Sequence, residues 1–195
     1  MAIFSRYPIV ASWATHLARN FSDGEDAHQR VVLAARIVTP SGALTVATSH
    51  WALSAAARRS NARDVWRFLQ ALPGPHVFTG DLNAEPDTPE LRFLRSDAAL
   101  IDAFAPERFP EQATAWTYTT HAATPKKRID FVLYTAHHPL LQQTRAWLAD
   151  YSHAQRTPRL LDEEHEDDED DLEARFAEAQ PSDHRPIIVA FKQRH

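Results

Sequence analysis

Residues 76–86 read HVFTGDLNAEP. Val77 and Phe78 look like the end of a short buried strand, and Gly80 allows the backbone to turn sharply after it. Asp81 and Asn83 are two apart, so an extended chain points both side chains to one side. One is an anionic acceptor and possible base; the other is a neutral amide with donors and an acceptor. Pro86, Asp87 and Pro89 follow at once, giving a rigid strand-end loop of the kind that often carries chemistry. The same residues also suit an Asx-rich turn, in which Asp81 and Asn83 bond nearby backbone N–H groups. On this stretch alone both readings stand.

The rest of the chain bounds the choice. Its 195 residues suit one domain with a sizeable core. There are no cysteines, which excludes disulfides and thiolate metal sites and fits a reducing compartment. The start, MAIFSRYPIV, lacks the basic and long apolar regions of a signal peptide, so a cytoplasmic location is favoured. No apolar run approaches the ~20 residues of a membrane span. The net charge of −5 is unevenly spread: residues 162–178 hold 11 of the 26 acidic side chains and one of the 21 basic ones. Without them the body carries 20 basic against 15 acidic residues, a balance that suits an anionic substrate. The acidic run, within an insert over about 159–180, reads as a solvated loop between two strands.

Periodicity places the other elements. Residues 3–10 read as strand with a turn at Tyr7-Pro8, and strand resumes from Ile9 towards Leu17. Residues 20–29 are a polar loop. Residues 31–38 and 44–51 form a hairpin around Pro40-Ser41-Gly42. Ser54 is a plausible N-cap for a helix to about Leu72, with Ala62, Val65, Phe68, Leu69 and Leu72 at helical spacing. Pro73-Gly74-Pro75 ends it. A short helix over 88–94, an apolar stretch over 100–104 and strands over 116–120, 128–134, 144–148 and 187–191 complete the order. Strands and helices in this mixture point to an α/β (α+β) two-sheet sandwich flanked by helices.

Four stretches place polar groups at strand ends: TSHW (48–51), TGDLNAEP (79–86), RIDFVLY (128–134) and PSDHRP (181–186). They offer aspartates, an asparagine and two histidines, a set suited to hard cations and proton transfer. Such a set can orient a water and stabilise charge on a transferring phosphorus. Each residue has a plainer reading. Asp130 could cap a turn or pair with Arg128, Asp183 could be a turn residue, and His50 could be a satisfied core histidine.

In sequence and order these stretches resemble the endonuclease/exonuclease/phosphatase superfamily of DNase I-like enzymes, over almost the whole chain. IFSRYPI resembles the family's short Ser-Arg-x-Pro-Ile strand, and LTVATSHW its strand ending in Thr-His-Leu. Arg58 and Asn61 lie where the following helix often carries Arg and Gln. Asp102 lies in a Val-Asp-Ala-like stretch and Thr117 near the usual Thr-Phe; both read as structural.

The resemblance implies a metal-dependent phosphoester hydrolase using Mg²⁺ or Mn²⁺. By resemblance, Asp81 positions or deprotonates the attacking water and touches metal. Asn83 helps hold the phosphate, and Asp183 lies on the metal side. His184 contacts the phosphate and takes part in proton transfer, oriented by Asp130. His50 is a general acid or phosphate ligand. The substrates implied are phosphoesters, whether nucleic acid, a phospholipid headgroup or a small phosphodiester. The family pattern opens with further strands, one ending in a Gln-Glu whose glutamate binds Mg²⁺, and this chain starts two residues before Ile3. The expectation is therefore the C-terminal two-thirds of such a domain, with exposed sheet edges open to self-association. A catalytically impaired fragment that binds phosphate ligands or a protein partner is the alternative.

Overall fold

The computed structural model describes residues 1–24, 26, 28–105, 127–148 and 184–192. Three antiparallel strands open it: β1 (Ile9–His16), β2 (Val31–Thr39) and β3 (Gly42–Ser49). Val32, Ala34 and Ala47 of this meander are buried. The β2–β3 turn is tight: Thr39 pairs with Gly42, and Thr39 Oγ1 donates to the Gly42 carbonyl at 2.7 Å. The sequence-predicted strand over 3–10 starts only at Ile9. Its β2 neighbour ends at Thr39, and Ile9 already pairs with Ile37, so the residues before Pro8 have little strand left to pair with.

Helix α1 (Ala55–Gln70) crosses from β3 to the parallel strand β4 (His76–Asp81). Ser54 caps it, accepting from the Ala57 N–H at 3.1 Å. Ala57, Ala62, Val65 and Leu69 form its buried stripe. Helix α2 (Pro89–Ser96) presents Leu91 and Leu94 to the same core. Strands β5 (Leu100–Asp102) and β6 (Asp130–Thr135) then complete a six-stranded sheet in the order β1-β2-β3-β4-β6-β5. Arg128 and Ile129, read from sequence as strand, lead into β6 rather than belonging to it.

A second sheet pairs β7 (Gln143–Leu148) with β8 (Ile187–Phe191). It covers the face of the large sheet opposite the helices, where Val77, Val132, Tyr134 and Ala146 form a second core. Tyr134 meets Phe191 edge to face at 5.2 Å. Helices on one face and a small sheet on the other match the expected two-sheet α/β architecture. The predicted strand over 116–120 and the acidic insert lie outside the described residues. Among the described residues no helix is long and apolar enough to cross a membrane.

Candidate active site

The parallel pairing of β3 with β4 brings their C-terminal tips together. Gly80 permits the approach: its φ is +147°, and a Cβ there would lie 1.9 Å from the Ser49 carbonyl oxygen. Just past these tips, Trp51 N–H donates to the Asp81 carbonyl at 3.0 Å. His50 and Asp81 therefore face each other. Strand β6 starts on the other side of β4, with Asp130 as the register partner of Asp81. His184 lies just before β8.

These four side chains form one cluster. His184 Nδ1 lies 2.7 Å from Asp130 Oδ2, so the ring proton on that nitrogen is held by a carboxylate. The arrangement turns Nε2 towards Asp81, 3.8 Å from Oδ2. His50 Nε2 lies 3.3 Å from the same oxygen. The other Asp81 oxygen, Oδ1, accepts the Asn83 N–H at 2.9 Å. The Asx-turn reading of Asp81 is realised: Oδ1 closes the turn, while Oδ2 faces two imidazoles. Asn83 adopts a positive φ of 49° and donates Nδ2 to the Trp51 carbonyl at 2.9 Å.

Burial pushes the His50 imidazole below its ordinary value of 6.5, and nearby Arg30 and His184 push the same way. Asp81 opposes them without reversing the shift. His50 therefore meets neutral pH as an uncharged ring. At 46% side-chain exposure it is not a core histidine.

Two cavities open from His184. One of about 430 Å³ is lined by Gly80, Asp81, Asp130, Phe131 and Arg185. The other, about 480 Å³, is lined by Leu53, Arg58, Asn83, Glu85 and Lys127. A larger cavity of about 600 Å³ sits beyond the far end of β6 at His137 and His138, away from these carboxylates. The titratable groups converge at the smaller pair, which makes these two cavities the candidate site.

Of the residues singled out by sequence, His50, Asp81, Asn83, Asp130 and His184 come together. Asp183 and Thr117 lie outside the described residues. Among the described residues no group of three His, Asp or Glu side chains is arranged to hold a metal. Arg58 instead pairs with the buried Glu90 at 2.7 Å and also donates to the Leu53 carbonyl. Asn61 bridges Ala52 and Ala18. The suggested Arg128–Asp130 pair does not form; Arg128 binds Asp102 at 2.7 Å. Sequence reasoning missed that pair, although an aspartate inside the apolar stretch LIDAF needs a buried cation. It also missed Lys127 and Arg185 as cavity walls.

A model of the endonuclease/exonuclease/phosphatase family matches residues 1–184. The fold is similar to a family protein from Bacteroides vulgatus, with a TM-score of 0.63 at 20% identity over 95% of this chain and 67% of that one. It is also similar to a mannosyl-6-phosphatase from Bacteroides thetaiotaomicron, with a TM-score of 0.56 at 18% identity over 73% of this chain and 57% of that one. The human Nocturnin catalytic domain with bound sulfate gives a TM-score of 0.51 at 20% identity over 73% of this chain. The chain spans 51% of that domain's length. None of the curated proteins matches it.

Proposed function

The chain belongs to the endonuclease/exonuclease/phosphatase family, and on that premise we propose that it is a phosphoester hydrolase acting at the tips of β3, β4 and β6. The observation that carries this is the set of contacts around Asp81 Oδ2, which faces His50 Nε2 at 3.3 Å and His184 Nε2 at 3.8 Å, with His184 Nδ1 held by Asp130 at 2.7 Å. A carboxylate oxygen between two imidazoles can orient a water and accept its proton as that water attacks phosphorus in line. His184, fixed through Nδ1, meets a non-bridging phosphate oxygen with Nε2, as a donor when the ring is charged. Asn83 has its backbone and Nδ2 tied down, which presents its amide in one orientation beside the phosphate. His50, uncharged at neutral pH, serves as a neutral phosphate ligand rather than a standing acid.

A divalent ion, Mg²⁺ or Mn²⁺, would engage Asp81 and Asp183 and supply Lewis-acid stabilisation of the phosphate charge. The steps above belong to the side chains alone. Substrates are phosphodiesters or phosphomonoesters, reached through the two cavities flanking His184.

Hydrolysis of bis-p-nitrophenyl phosphate with Mg²⁺ or Mn²⁺ tests the reading. Asp81→Ala is expected to lower the rate by about 10²-fold or more. Equal rates in parent and variant would overturn the assignment. Binding of inorganic phosphate by a parent that hydrolyses nothing would favour the non-catalytic alternative.

A further inference from the structure

Arg128 and Asp130 are two apart in a segment that runs into β6, so an extended backbone carries both side chains towards one side. Arg128 is thus a rival to His184 for the Asp130 carboxylate. It is a strong one, because a guanidinium is always charged and grips a carboxylate with two parallel N–H donors. In the structure that rivalry is settled elsewhere. Arg128 donates to both oxygens of Asp102, at 3.1 and 2.7 Å. Asp102 is fully buried, Arg128 nearly so, and Asp102 Oδ1 also accepts the Phe104 N–H at 3.0 Å. The guanidinium lies 4.5 Å from the Phe131 ring centre, and the intervening Ile129 carbonyl accepts Leu82 N–H at 2.8 Å.

We infer that Asp102 is a positioning residue: it holds the Arg128 guanidinium away from Asp130 and so reserves Asp130 for His184. The inference rests on reading His184 and Asp130 as working parts of the site. Its distinctive consequence is a rescue. Neutralising Asp102 alone leaves a buried guanidinium without its counter-charge, and Asp130, two residues along, is a carboxylate for it to seek. Neutralising both partners removes the rival together with its keeper.

The experiment follows the hydrogen-bonded Nδ1 proton of His184 by NMR in the histidine-labelled full chain. The parent is expected to show a low-field resonance from the Asp130 contact. Asp102→Asn should lose it, and Asp102→Asn combined with Arg128→Gln should regain it. Hydrolysis of bis-p-nitrophenyl phosphate should fall roughly tenfold or more in the single variant and recover in the double one. A resonance that persists in Asp102→Asn, or stays lost in the double variant, overturns the inference and assigns the pair to scaffolding. If Asp102→Asn does not fold, Arg128→Gln alone decides: the resonance is kept if Arg128 is a rival and lost if it is a support. A parent that shows the resonance but hydrolyses nothing counts against the hydrolase reading and leaves the positioning role standing.

Discussion

The two ends of the β4–β6 ladder treat polar groups in opposite ways. At one end His76 is engaged through its backbone and through Nε2. Its N–H donates to Thr135 Oγ1 at 2.9 Å, its carbonyl accepts from that hydroxyl at 3.4 Å, and its Nε2 meets the Leu72 carbonyl at 3.2 Å. Val77 and Tyr134, its neighbours in the ladder, are buried partners. At the other end Asp81 and Asp130 are direct partners in register. Like charges set opposite one another destabilise a sheet. The conflict is met by imidazoles brought from other parts of the chain, His50 after β3 and His184 before β8. A ladder built for stability alone would resemble its His76 end throughout. The end where local rules are broken is the end at which the site is proposed.

The largest effect should come from the residue that lets the broken end exist. Gly80→Ala adds a Cβ only 1.9 Å from a backbone oxygen at a φ of +147°. The β3 and β4 tips must separate, at a cost of more than about 3 kcal/mol. Urea unfolding of parent and variant measures it. A loss below about 0.5 kcal/mol, the range of a neutral surface change, would mean that the tips need no such close approach.

Asp81→Asn sharpens the contrast in the other direction. It removes one of two facing carboxylates, so repulsion across the ladder falls while the proposed water-activating oxygen is lost. Stability is expected to hold or rise by roughly 0.5 kcal/mol, while hydrolysis drops by about 10²-fold or more. Opposite signs in the two measurements are the signature of a site held at some expense to the fold. A variant that loses stability in proportion to its activity would place Asp81 among the scaffold residues.

This contrast also explains what the sequence could and could not disclose. Strands and helices came through because apolar spacing is a local signal: β2, α1 and its Ser54 cap are legible within one window. The error at residues 3–8 arose because strand formation depends on a partner, and β2 runs out at Thr39. The four polar strand ends were legible as short motifs in order. The ion pairs were not. Arg58 meets Glu90 and Arg128 meets Asp102 across 32 and 26 residues, and nothing local tells which acid among many a given arginine will find. Residue type and strand position alone do not separate His76 from His50, which only the resemblance singled out. Both are single histidines at strand ends, and in the structure burial and neighbours distinguish them.

The smallest effect tests the quiet end by pH. Burial, helped by nearby Arg36, pushes the His76 imidazole below 6.5 despite the opposing Leu72 carbonyl. The unfolded chain keeps the ordinary value, so on acidification it takes up a proton at this ring before the folded chain does. Stability that is fully present above about pH 6.5 therefore declines as pH falls towards the lowered folded value. His76→Gln keeps a donor within reach of Leu72 while removing the titration. Urea unfolding across pH 7 to 5 should then show a shallower acid loss in the variant than in the parent. His50 shifts in the same direction and contributes its own share to both proteins, so the difference between the two slopes is the quantity that speaks. Parallel slopes would mean that the His76 ring titrates alike in the folded and unfolded chain, and the two ends of the ladder would then differ in charge placement but not in how tightly they hold a histidine.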